Sequence, residues 1–148
     1  MKNEEKPELV FADLPEGRTF RTLQYPITQA LVNQYMEIIG DRNPLYLEAS
    51  TAGKTSPGAP LAPPGLAAIY ARLSYLQDYS MPSGGVLAKQ EFDFVGPLRI
   101  GDDLQVKAKV VASHLDQKQR KRVAFQIEAR NPSGDLVSVI RLEAIWPK

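Results

Sequence analysis

Asp41 and Tyr46 are the two side chains of this sequence whose types and spacing best suit acid–base chemistry. They belong to the stretch Gly-Asp-Arg-Asn-Pro-Leu-Tyr that starts at Gly40. A carboxylate can accept a proton from water, particularly where burial raises its pKa. A phenol has a pKa of about 10, which a nearby carboxylate raises further, so at pH 7 it can orient water but is a poor base. The stretch therefore predicts a base at Asp41 and a neutral hydroxyl at Tyr46.

Two predicted helices flank this stretch. Thr28 suits the N-cap of the first helix, and Gly40 suits the left-handed residue just beyond its end. Its apolar face consists of Leu31, Val32, Tyr35, Ile38 and Ile39. Residues 41–60 are rich in Pro, Gly, Ser and Thr, and so long an irregular stretch in a compact domain is usually functional. A second amphipathic helix is predicted over residues 66–78, after Pro63-Pro64-Gly65.

The rest of the chain predicts strands. A first strand is expected at Gly17–Tyr25, ended by Pro26. Four more follow the second helix, at residues 86–94, 104–113, 122–130 and 136–146. This order predicts an α+β fold in which an antiparallel sheet wraps around one long helix.

Taken alone, the string Gly-Asp-x-Asn-Pro has a plainer interpretation. Asp and Asn-Pro are routine in turns, where their side chains bond nearby backbone groups. The turn and the functional interpretation stay equally open for the string itself. Its position after an amphipathic helix and before a Pro- and Gly-rich segment favours function.

In that context the stretch resembles the signature of the MaoC-like, (R)-specific enoyl-thioester hydratase/dehydratase family. The signature is a short helix followed by Gly-Asp-x-Asn-Pro-aliphatic-His, and here Gly40 to Leu45 follow it in register. Residues 95–102, Val-Gly-Pro-Leu-Arg-Ile-Gly-Asp, also look like the family's turn before the third strand. The resemblance covers about residues 18–147 and implies a single hot-dog domain, which we assign to residues 17–148. Residues 1–16 are expected to be a disordered N-terminal segment.

The resemblance also implies a reaction. In the family the Asp and the His share the acid–base work of adding water to an enoyl thioester, and a backbone N–H at a helix N-terminus stabilises the thioester oxygen. Asp41 takes the position of the Asp, but Tyr46 stands where the family has its His. The resemblance places the family's Ala-His-Gly segment, at the start of the long helix, approximately at Ala62-Pro63-Pro64-Gly65. Because Pro63 and Pro64 lack N–H groups, the candidate donors are Gly65 and Leu66. With Asn43, these two residues are assigned to substrate binding.

Three functions remain open on the sequence. The chain could be a hydratase/dehydratase in its own right, with Asp41 and Tyr46 as catalytic residues. It could instead be a non-catalytic acyl-binding subunit of a His-bearing partner, because Tyr46 resembles the version found in non-catalytic halves. A hot-dog acyl-CoA thioesterase is the third, with Glu48 and Glu91 as carboxylates that could serve it.

Two further features are interpreted as structural. His114 ends a predicted strand beside Asp116 and is expected to be a solvated surface residue. The basic stretch 118–122 could attract coenzyme A phosphates or an acyl carrier protein, but a solvated turn that protects a strand edge is favoured.

Composition excludes several classes of function. The 148 residues contain no cysteine and one histidine, so a disulfide or a thiolate metal site is excluded and no metal site is predicted. The net charge of +1 gives no general attraction to nucleic acid or membrane. No apolar run suits a transmembrane helix or signal peptide, so a cytoplasmic location is expected.

No cofactor is expected beyond the coenzyme A or phosphopantetheine of an acyl thioester substrate. Partners are expected to be a second copy in a homodimer or a related hot-dog subunit.

Overall fold

The computed structural model describes residues 5–40 and 61–148. A short 3₁₀ turn, Phe11–Asp13, precedes strand β1, Leu23–Pro26, and helix α1, Gln29–Ile39. A second 3₁₀ turn, Pro64–Leu66, leads directly into helix α2, Ala67–Tyr75. Four long strands follow: β2 (Val86–Phe94), β3 (Asp103–Leu115), β4 (Lys121–Arg130) and β5 (Leu136–Trp146).

The strands form one antiparallel sheet in the order β1-β3-β4-β5-β2. Side chains alternate between buried and exposed along most of β3, as expected when one face of a sheet meets a core and the other meets solvent. Helix α2 lies against the buried face and supplies Tyr70, Ala71 and Tyr75 to the core. The predicted α+β architecture, a sheet around one helix, is confirmed.

An aromatic cluster fills the space between helix and sheet. The ring of Phe125, which is fully buried, stacks on Tyr75 with centroids 4.6 Å apart. Phe20 and Trp146 also pack on Phe125, at 6.1 Å and 5.9 Å. Such contacts combine a large buried apolar area with favourable ring geometry, so this cluster anchors α2 on the sheet.

Helix α1 begins and ends where the sequence predicts. The Thr28 side chain accepts a hydrogen bond from the Leu31 N–H, and Gly40 adopts φ 71° just after the last turn. A left-handed residue at this position suits glycine and ends the helix. The buried face consists of Val32 and Met36, whereas Ile38 is 76% exposed.

Three predictions require correction, and the first two concern the bounds of elements. Strand β1 starts at Leu23 rather than Gly17, and upstream of it Thr19 forms only an isolated bridge to Lys109. Helix α2 ends at Tyr75 rather than Asp78, because the Leu76 N–H bonds the Leu73 carbonyl in a tighter turn.

The third correction concerns the N-terminal segment, because residues 5–16 pack on the domain instead of being disordered. Leu9 and Leu14 are fully buried. The Leu9 N–H donates to the Ser80 carbonyl at 2.9 Å, and the Leu9 carbonyl accepts from Trp146 Nε1 at 2.7 Å. Two apolar side chains in a polar stretch give little periodicity, so the sequence signal was weak.

Candidate active site

The residues that carry the predicted chemistry lie partly outside the described residues. Asp41, Asn43, Tyr46 and Glu48 belong to segment 41–60, and their assigned roles stay predictions. The structure does describe both sides of this segment. Gly40 ends helix α1, and beyond the segment the Ala62 N–H donates to the Leu98 carbonyl at 2.7 Å.

Gly65 and Leu66, the two candidate donors, differ in what their N–H groups contact. The Leu66 N–H bonds the Pro63 carbonyl at 3.3 Å, and its side chain is fully buried. Within the described ranges 5–40 and 61–148, the Gly65 N–H has no acceptor. Gly65 itself is exposed. Of the two, Gly65 is therefore the residue that can offer a donor to an incoming oxygen, at the positive end of helix α2.

The conformation that frees this N–H follows from the local sequence. Pro63 is extended, with φ −64° and ψ 130°, and Pro64 occupies the first position of the 3₁₀ turn. Proline suits that first position because its missing N–H would have no partner inside the helix. Gly65 therefore carries the first N–H of the turn.

Tyr35 is a neighbour of Gly65 that the sequence did not identify. A Cβ built on Gly65 would overlap the Tyr35 hydroxyl oxygen, and Tyr35 Cζ would be 3.3 Å from it. Tyr35 lies on helix α1, half-buried, with its ring against the core. Its place in the helical pattern predicted a core side chain, and no sequence pattern predicted the long-range approach to Gly65.

An apolar cleft opens beside the same turn. It has a volume of about 230 Å³ and is bounded by the 3₁₀ turn before α2 and by the end of β2. Its lining residues are Leu61, Ala62, Pro64, Phe94, Gly96, Pro97 and Leu98. An acyl chain is apolar, and its burial here would remove hydrocarbon surface from water.

The tyrosines of helix α2 serve packing. The Tyr70 and Ser138 hydroxyls share a hydrogen bond of 2.5 Å in the core, and both residues are buried. Burial raises the pKa of Tyr70, and burial likewise raises the pKa of Tyr75. Both phenols are therefore neutral and unsuited to act as bases.

The two polar features interpreted as structural lie around the turn between β3 and β4. His114 is exposed on β3, opposite Arg122 of β4. The Asp116 carboxylate accepts hydrogen bonds from the Lys118 N–H, from Arg120 and from Arg122, at 2.7 to 3.0 Å. Part of the positive charge of stretch 118–122 is thus compensated within its own turn.

In the part of the chain that the structure describes, no group of three or more acidic, His or Cys residues could hold a metal ion. In that same part, no helix is long and apolar enough to cross a membrane.

Comparison with known proteins adds two curated relatives. A 3-hydroxybutyryl-CoA dehydratase from Methylorubrum extorquens is 34% identical over 116 residues, which cover 78% of this chain and 72% of that protein. The alpha subunit of a 3-oxo-4,17-pregnadiene-20-carboxyl-CoA hydratase from Mycobacterium tuberculosis is 28% identical over 120 residues, 79% of this chain. This chain spans only 35% of that second protein.

A solved structure and a family match agree with these relatives. The unliganded R-hydratase PhaJ1 from Pseudomonas aeruginosa superposes with a TM-score of 0.79 and 24% identity, over 95% of this chain and 87% of that chain. This likeness confirms the hot-dog fold. Residues 16–137 match the family described as FAS1-like, dehydratase domain region. Together with the 34% identical dehydratase, this match shows that the chain belongs to the MaoC-like hydratase/dehydratase family.

Proposed function

We propose that this chain binds enoyl- and 3-hydroxyacyl thioesters and interconverts them by adding or removing water. The thioester would be carried by coenzyme A or by an acyl carrier protein. The observation that carries the proposal is the exposed Gly65 N–H, which has no acceptor among the described residues, in a chain of the dehydratase family. A dehydratase that is 34% identical acts, by its name, on 3-hydroxybutyryl-CoA.

The proposed reaction divides its tasks between residues of segment 41–60 and the turn before helix α2, which contains Gly65. Asp41 takes a proton from water as the water oxygen attacks the β-carbon of the enoyl group. The protonated Asp41 then gives this proton to the α-carbon, and between the two proton transfers the thioester oxygen carries the negative charge. The Gly65 N–H, aided by the dipole of α2, stabilises that oxygen. Tyr46 orients the water or donates to the carbonyl, and Asn43 contacts the substrate.

A second function is favoured by one specific observation, the tyrosine at position 46. If the phenol cannot replace the family's imidazole, the chain is an acyl-binding subunit that completes the site of a His-bearing hot-dog partner. The Mycobacterium tuberculosis relative is itself called an alpha subunit. The first function is compatible with a homo-oligomer, and the second requires a hetero-oligomer with the His-bearing partner.

The test is the loss of conjugated enoyl-thioester absorbance when the purified protein is added to a short trans-2-enoyl-CoA. Free thiol is measured in the same reaction. We expect the absorbance to fall without release of thiol. Release of thiol would identify a thioesterase instead. Activity that arises only after a His-bearing hot-dog subunit is added would identify the partner-subunit function.

For the oligomer, we propose that strand β2 pairs with β2 of a second copy. Strand β2 is at the edge of the sheet, and its inner face carries exposed apolar side chains. Phe92 and Phe94 are 37% and 51% exposed, and their rings stack at 5.9 Å. An open edge with exposed apolar residues is a surface that another strand can cover.

Charges along β2 suggest the register of this pairing. Lys89 and Glu91 form an ion pair of 2.9 Å on the outer face. If Gln90 lies at the two-fold axis of an antiparallel pair, Lys89 of one copy is opposite Glu91 of the other. Opposite charges in directly facing positions stabilise paired strands, so this register is self-complementary.

A charge reversal tests the register. Glu91→Lys places lysine opposite lysine at two symmetric positions and should raise the dimer Kd about tenfold, as measured by sedimentation equilibrium. The exchange of both residues, Lys89→Glu with Glu91→Lys, restores complementarity and should return the Kd to the wild-type value. Glu37→Lys on helix α1 is the matched control. If the exchange variant dissociates as readily as the single variant, the register is wrong.

A further inference from the structure

Among the residues that the structure describes, the Tyr35 hydroxyl has no hydrogen-bond partner, although its ring packs against the core. The ring packs against the core from helix α1, and the residue is half-buried. Across residues 5–40 and 61–148, no group forms a hydrogen bond with its hydroxyl. A half-buried hydroxyl without a protein partner is available to water or to a ligand.

This hydroxyl lies beside Gly65. Because a Cβ on Gly65 would overlap Tyr35 Oη, and a C–C bond is about 1.5 Å, the oxygen lies within about 4 Å of the Gly65 Cα. The Gly65 N–H lies on the same residue and likewise has no acceptor within the described parts of the chain. A backbone N–H and a phenol O–H from different elements are therefore close enough to bond one acceptor atom.

We propose that Tyr35 donates its hydroxyl proton in a hydrogen bond to the acyl thioester oxygen, beside the N–H of Gly65. The proposal rests on the thioester function proposed above and adds a side chain to it. A neutral phenol is a suitable donor at pH 7, and two donors hold a developing negative charge better than one.

The same geometry gives a reason for glycine at position 65. Any larger residue would push the Tyr35 hydroxyl away from the N–H. With phenylalanine at position 35 the nearest atom to a new Cβ would be Cζ, at 3.3 Å, so alanine at 65 would need only a small adjustment. The hydroxyl, and not the ring, is what excludes a side chain there.

The first experiment compares the kinetics of Tyr35→Phe and wild type on a short trans-2-enoyl-CoA. The expected result is a fall in kcat of about 10- to 100-fold with KM changed less than about threefold, because the lost bond strengthens as the oxygen gains charge. Tyr25→Phe is the matched control. Tyr25 is also half-buried, and its ring packs on Tyr70, so its hydroxyl should not affect kcat. An unchanged kcat in Tyr35→Phe would overturn the proposal.

A second measurement separates this proposal from the proposed reaction. If wild type does not turn over substrate, binding of butyryl-CoA, which cannot react, is measured by calorimetry. A Kd raised about fivefold or more by Tyr35→Phe, and not by Tyr25→Phe, supports the hydrogen bond even in a non-catalytic subunit. Equal affinities of Tyr35→Phe and wild type, or no binding by wild type, would overturn it.

A third measurement needs no substrate. Gly65→Ala should lower the Tm of wild type, and it should lower the Tm of Tyr35→Phe clearly less, because the overlap with the hydroxyl is gone. Equal decreases in Tm in the two backgrounds would mean that the hydroxyl does not lie against Gly65, and the proposal would fall.

Discussion

Replacing Asp41 with Asn is expected to lower kcat/KM for a short trans-2-enoyl-CoA by about 10²- to 10⁴-fold. An amide is nearly the same size as a carboxylate but cannot take a proton from the attacking water, and this range is typical for the loss of one general base. Initial rates from the enoyl-thioester absorbance provide the measurement. Asp135→Asn, in the exposed turn between β4 and β5, changes charge in the same way at a residue with no assigned role and should leave the rate unchanged.

The variant Tyr46→His complements Asp41→Asn, because it tests whether the absence of an imidazole limits the activity. An imidazole has a pKa of about 6.5 and can exchange protons at neutral pH, which a phenol cannot do readily. If wild type is inert and Tyr46→His gains activity that Asp41→Asn then removes, the acyl site is intact and only the acid–base group differs. If wild type is active and Asp41→Asn keeps that activity, Asp41 is not the base.

Replacing Phe125 with Ala is expected to lower the free energy of unfolding by about 3–5 kcal/mol. The side chain is fully buried and contacts Phe20, Tyr75 and Trp146, so its removal leaves a cavity where helix α2 meets the sheet. In a chain of this size the loss corresponds to a decrease of about 10 °C in Tm. Urea unfolding followed by circular dichroism measures it.

Phe125→Leu is the control for this prediction. Leucine keeps much of the volume and all of the apolar character, so it should lose clearly less stability than alanine. A loss below about 1 kcal/mol for Phe125→Ala would mean that neighbouring side chains close the cavity, and that the aromatic cluster does not anchor the helix.

Elements with a strong local signal could be predicted from the sequence. The bounds of helix α1 follow from Thr28 and Gly40, and the bounds of β2 and β5 match the alternating patterns. The family could be predicted from a few residues because Gly-Asp-x-Asn-Pro follows a helix. In each case the sequence signal lies in residues that are close together in the chain.

Features that depend on distant parts of the chain could not be predicted. The burial of Leu9 depends on Ser80 and Trp146, and the approach of Tyr35 to Gly65 depends on how two helices meet. The choice between Gly65 and Leu66 as donor depended on the turn at Pro63, which fixes the Leu66 N–H. Periodicity and composition carry no information about these contacts, because the contacts form only when the elements pack against each other.

The hydrogen bond between Trp146 and Leu9 has a practical consequence for spectroscopy. Trp146 is the single tryptophan of the chain, and it is only 3% exposed. Its indole N–H is held by the carbonyl of Leu9, so its fluorescence emission originates at the junction of the N-terminal segment with strand β5. A red shift of that emission therefore reports water reaching this junction, and the protein carries its own optical probe of whether the segment remains docked.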